Sequence, residues 1–368
     1  MATGKDSAAA TAGSIPVLPH GAERVAASNN VARHGGLPYG AVMATAGAST
    51  LAARCGLHAL VVPLLALAVA QALWVPLTTT WQHRRGLGAQ CRAWCTIGGA
   101  GEHAGIHTVP LGLAVIAGGF AALTADGAGT WLVVLGWVSL GLTWLLMVVC
   151  VGRFAWALAF RRTPLRSLGG AWFLVPAALL GAGIAADAVA RLAAGSTAAI
   201  LAALALAATL CGWLGYWAVA GVALARVWRF RLGGVPQAPW WIAMGCAGLA
   251  AAALGGAVRV PAGDAWLQQA FGGALVLTIV VAIILCVPVL VGSVTFLARH
   301  CRFRAAAAWP PTFSTAVFAL GCLESATVLH APALRLLGLG AGYATLVFWA
   351  VTMAWNTGRA CACRLQRR

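Results

Sequence analysis

Charge is what this sequence has least of. Asp, Glu, Lys and Arg make up 8% of its 368 residues, against about a quarter in soluble domains, which excludes a molecule wetted on every side. Acidic residues are scarcer still: there are 7 against 24 basic ones, and only one of the 24, Lys5, is a lysine. No P-loop, dinucleotide-binding glycine fingerprint or HExxH motif occurs, so an ATP-driven pump or a zincin has no foothold. No catalytic residue or cofactor is assigned, and the chain is not expected to be an enzyme. A disulfide framework is missing as well. Of 11 cysteines, Cys150, Cys211, Cys246, Cys286 and Cys322 fall inside apolar runs, where a free thiol behaves as a small hydrophobe.

What the chain does have is apolar length. Hydrophobic residues make up 61% of it and the mean hydropathy is +0.88. Runs of membrane length lie at roughly 38–53, 57–77, 107–125, 129–152, 170–186, 195–225, 239–258, 267–297, 307–328 and 333–357. In lipid each isolated span must satisfy its own backbone hydrogen bonds, so all ten are expected to be helices. The formal charge of +17 would ordinarily suggest a polyanion partner, but these cations sit in ones to fours between the apolar runs. Sorted by connection, 20 of the 24 fall on one side, and only Arg54, Arg191, Arg259 and Arg335 on the other. By the positive-inside rule both termini are cytoplasmic, and no nucleic acid is expected to bind. Residues 1–37, rich in Ala, Ser and Gly and without the features of a signal peptide, read as a disordered cytoplasmic tail. Residues 38–357 read as the membrane domain and 358–368 as a basic cytoplasmic tail.

The odd-numbered runs begin about 63 to 70 residues apart, the mark of a helical hairpin repeated five times. They open with or contain Pro and Gly, as in LPYGAVMATAG and HTVPLGLAVIAGG, whereas the even ones are longer and richer in Leu, Val and Trp. Small residues and helix breakers suit close packing or a cavity, and bulky aliphatics suit lipid. The expected fold is an all-α integral membrane protein, ten transmembrane helices as five hairpins around a central pore, with the odd helices innermost.

Four segments, LPYGAVMATAG, AWFLVPAALLGAG, PWWIAMGCAG and AAWPPTFSTAVFALG, resemble the tellurite-resistance/dicarboxylate transporter family, which includes plant slow anion channels and the fungal malate permease. The resemblance covers about 38–357. It implies a pore within each protomer of a homotrimer in the cell membrane, plugged by a phenylalanine of the ninth span, which aligns with Phe313. Here Ser314 stands where the family has proline, while Pro310 and Pro311 precede the motif, so a displaced helix kink is expected. The substrate implied is a small anion: a C4-dicarboxylate, a tellurite-type oxyanion, or an inorganic ion such as chloride or nitrate.

Such a pore, within the spans as read, holds no Lys or Arg. It would attract anions weakly through backbone N–H groups at kinks, through hydroxyls, and through the field of the cytoplasmic arginines, and weak binding suits conduction. Pore-lining candidates are Gly40, Thr45, Gly47, Pro110, Gly112, Pro176, Gly181, Gly245, Gly248, Thr312 and Ser314. Glu324 and His107 are the candidates for proton-linked behaviour. Against these stand blander readings, with Glu324 hydrated or paired with Arg335 at the outer interface and His107 interfacial. A competing constellation, Cys91, Cys95, His103 and His107, has zinc-ligand chemistry and would make the chain a membrane-embedded metal-binding protein or metalloenzyme; no metal is assigned to it.

Overall fold

The computed structural model describes residues 36–82, 104–127, 129–160, 168–230, 240–259, 265–300 and 309–365. Cys91, Cys95, His103 and most of the N-terminal tail lie outside these described residues. Within them are ten α-helices and no strand. They are α1 (Gly36–Arg54), α2 (His58–Gln82), α3 (Thr108–Ala125), α4 (Trp131–Phe160), α5 (Leu174–Ala190), α6 (Gly195–Phe230), α7 (Trp241–Arg259), α8 (Ala265–His300), α9 (Trp309–Leu329) and α10 (Pro332–Leu365), with a 3-10 turn, Gly170–Phe173, leading into α5. Nine are long and apolar enough to cross a membrane. The exception, α1, carries Thr45, Ser49, Thr50 and Arg54 in its 19 residues. This is the pattern of an all-α, multi-pass membrane protein.

Two kinds of helix alternate. The odd-numbered ones have 19, 18, 17, 19 and 21 residues, about 26–32 Å at ~1.5 Å per residue, close to the ~30 Å hydrocarbon core. The even ones have 25, 30, 36, 36 and 34. Burial follows the same alternation: 67 to 83% of the apolar stretch is buried in α3, α5, α7 and α9, but 22 to 28% in the even helices. Every large hydrophobic side chain exposed among the described residues lies on an even helix or, for Leu57, in a connection. In water that face would be untenable, and in lipid it is the natural exterior.

Contacts between helices explain the burial. Each even helix packs on the odd one before it, while α1 packs on α3, α3 on α5, α5 on α7, α7 on α9, and α9 back on α1. Neighbouring odd helices run parallel. Gly40 faces Trp309 and Gly47 faces Ala316 across α1 and α9, and Arg54 pairs with Glu324 at the far end. Between α7 and α9, Gly245 faces Ser314, Gly248 faces Phe318 and Gly321, and Gly255 faces Glu324.

The prolines act differently from the expectation of kinks. Pro38, Pro110 and Pro176 are each the third residue of their helix, and Pro310 and Pro311 the second and third of α9. The N–H groups of a first turn have no intrahelical partner, so proline there removes nothing and presets the backbone. As a result α9 runs unbroken through Phe313 and Ser314. The helix is not broken at the shifted prolines, and these prolines expose no mid-helix N–H.

Candidate functional site

Residues of the five odd helices, mostly from their middles to their C-terminal ends, with Val61 of α2, Ala202 to Thr209 of α6 and Leu267 and Phe271 of α8, surround a cavity of about 490 Å³. Nearly half of its lining residues are Gly or Ala, because small side chains are what let five helices approach around a space without filling it. Of the candidates named from sequence, Gly47, Gly181, Phe313 and Glu324 line it. Phe313 is buried and belongs to the same packed apolar cluster as Met43, Leu111 and Met244. Phe313 is the most N-terminal residue of α9 on the cavity wall.

The other candidates lie elsewhere, each for a packing reason. Thr45 is turned toward the outer helix α10, where its hydroxyl accepts a hydrogen bond of 3.0 Å from Trp349 Nε1. Gly40 lies against the Trp309 ring, Gly112 against Val42 and Met43, and Pro176 against Gly215 of α6. Gly245 and Gly248 serve the contact between α7 and α9: a Cβ on Gly248 would lie 2.5 Å from the Phe318 Cα. Ser314 is buried there too, its Oγ without a hydrogen-bond partner among the described residues. Thr312 and Pro110 are buried in the N-terminal turns. His107 is wholly buried, edge-on to Phe154 at 6.1 Å between ring centroids. Among the described residues no three His, Cys, Asp or Glu side chains converge as metal ligands would.

At the cavity's other end the structure brings together charges that the spans as read had left outside. Helix α1 extends to Arg54 and α7 to Arg259, and Asp187 lies inside α5. All three line the cavity with Arg191 and Glu324. Three arginines against two carboxylates leave one positive charge over, so the expectation of a site without fixed cations is overturned. Asp187 pairs with Arg191 one helical turn on. Glu324, 6% exposed at its side chain, is paired with Arg54 of α1 and with Arg259 of α7, the latter at 2.6 Å; Arg335 is not its partner. A carboxylate so buried needs such partners, since an unpaired one is expensive in lipid. Cys55, next to Arg54, has its thiol pushed up by burial, so it stays protonated and adds no negative charge here. The hydroxyls of Ser49 and Thr50, also on the wall, donate to the carbonyls of Val61 and Ala46. One signal for this cluster was available in the sequence: Arg54, Arg191 and Arg259 are three of the four cations on the minority side. Compared with known proteins, the chain matches no family model and no curated sequence.

Proposed function

We propose that the protein is a membrane anion channel or transporter of the tellurite-resistance/dicarboxylate type. Five helical hairpins surround a pore lined by the odd helices, and Phe313 is its gate. The observation that carries the reading is a cavity walled by five short buried helices, with a buried phenylalanine on its wall and three arginines at the C-terminal ends of the helices. An anion drawn to a net positive mouth meets small, unreactive walls and then one ring that excludes both water and ions, which is the arrangement of a steric and dewetting gate. The cation count, 20 against 4, supports cytoplasmic termini, and with them a mouth that opens away from the cytoplasm. The homotrimer and the cell-membrane location rest on the family resemblance alone.

The test is anion flux in proteoliposomes with chloride, nitrate and malate, with and without a pH gradient. Phe313→Ala is expected to raise flux several-fold. Equal flux from wild type and a well-folded Phe313→Ala protein removes the gate, and no flux of any anion removes the function. Acceleration by a pH gradient separates a proton-coupled carrier from a channel.

A further inference from the structure

We propose that Arg54 and Arg259 form a binding site for a small planar oxyanion, and that in its absence Glu324 fills that site as a tethered competitor from the protein's own chain. This rests on the anion-permeation reading above and adds to it where the anion first binds and what it must displace.

Two guanidinium groups from different helices converge on one carboxylate, and the fork of each guanidinium matches the plane of a carboxylate or nitrate. A pair that served only to hold helices together would bury both partners. Here the carboxylate is 6% exposed while the Arg54 and Arg259 side chains keep 50% and 37% of their surface, and all three line the cavity. An incoming anion thus reaches the guanidiniums without first opening the bundle. The Glu324 carboxylate is also incompletely held: Oε2 lies 2.6 Å from Arg259 Nη2, yet at an angle that makes no hydrogen bond. Exchange for a free oxyanion therefore breaks few directed bonds at that oxygen.

The charged groups facing Glu324 are Arg54 from α1 and Arg259 from α7. Across the cavity α5 holds the Asp187–Arg191 pair. Residues 265–291 of α8 carry no charged side chain, so among the described residues Glu324 is the one carboxylate paired with both guanidiniums.

The experiment uses the purified full-length protein and nitrate. Binding is read as the nitrate-dependent rise in melting temperature, with isethionate keeping ionic strength constant. A site that is free only about a tenth of the time loses about tenfold in apparent affinity. Glu324→Gln is therefore expected to bind nitrate about tenfold tighter than wild type at pH 7.5. Arg54→Gln/Arg259→Gln should show no saturable shift. A folded Glu324→Gln that binds no tighter overturns the proposal. If Glu324→Gln does not fold, Glu324→Asp, whose carboxylate is one methylene shorter, takes its place and is likewise expected to bind nitrate tighter than wild type, equal binding overturning the proposal. Nitrate flux measured in parallel keeps the two readings apart. The expected binding pattern without flux supports the site and removes permeation, whereas flux with unchanged Glu324→Gln binding removes the site only.

Discussion

Placing a methyl group at Gly248 should pry α7 from α9, and the size of the effect can be worked from the contact. A Cβ there would sit 2.5 Å from the Phe318 Cα and 2.8 Å from the Val317 carbonyl oxygen, where ordinary contact begins at 3.4 Å. The obstacles are backbone atoms, which cannot swing aside as a side chain can, so the helices must separate by about 1 Å. Overpacking of this kind costs about 1–3 kcal/mol, and backbone obstruction puts it at the upper end. Replacing a helical glycine by alanine returns up to ~1 kcal/mol, leaving a net loss of about 2 kcal/mol. Gly118, in the wall of the cavity, is the matched control, because a Cβ there meets nothing within 4 Å, and Gly118→Ala keeps the propensity gain without the clash. The two variants should differ by about 3 kcal/mol, on the order of a hundredfold in the unfolding equilibrium. Titration with SDS in mixed micelles, followed by circular dichroism, reads that difference. Equal midpoints for Gly248→Ala and Gly118→Ala would refute the close approach. Because α9 also carries Glu324 and α7 carries Arg259, the same separation should weaken nitrate binding in Gly248→Ala and leave it unchanged in Gly118→Ala.

Gly118→Phe should fill the cavity from an open position and reduce anion flux at least tenfold, with a melting temperature near wild type; undiminished flux would place the permeation path elsewhere. Thr45→Val removes the acceptor of the Trp349 hydrogen bond and should lower stability by about 0.6 kcal/mol, the mean for such bonds between membrane helices, without altering flux, because that hydroxyl faces α10. A change in flux with stability intact would return Thr45 to the pore wall. Alkaline phosphatase inserted after Gly127, between α3 and α4, should be active, and the same enzyme fused to the C-terminus inactive; the reverse pattern would invert the orientation read from the cations.

The alternation of helix types was legible because lipid imposes it. A helix that faces hydrocarbon needs bulky apolar side chains around most of its surface, and one that packs on four neighbours needs small ones, so TWLVVLGWVSLGLTWLLMVV and PWWIAMGCAGLAAAALGG declare different surroundings before any contact is known. The same rule explains where reading individual side chains failed. Glycine and threonine are used both to line a space and to let backbones touch, and composition cannot tell the uses apart. Gly47 and Gly181 reached the cavity, whereas Gly245 and Gly248 went into the seam between α7 and α9 and Thr45 into a hydrogen bond with Trp349. Proline misled for a related reason: its meaning depends on whether it falls in a first turn or an interior one, and a boundary uncertain by three residues decides that.

The charges were hidden by the same boundaries. Arg54, Asp187 and Arg259 each stand within one residue of the end of the apolar run as read, and a charge at a span's edge is ordinarily taken as the start of a connection. Arg54, Arg191 and Arg259 also broke the charge rule that oriented every other connection. Cations on the minority side work against the insertion bias, so their presence there needs a local reason, and three of the four prove to line one cavity, each in an ion pair with Asp187 or Glu324. The fourth, Arg335, lies outside that wall and makes no ion pair among the described residues. In a chain where nearly all charge records topology, the residues that depart from the topological count are therefore the ones to examine first for a site, and here they lead to Glu324 and the two arginines that hold it.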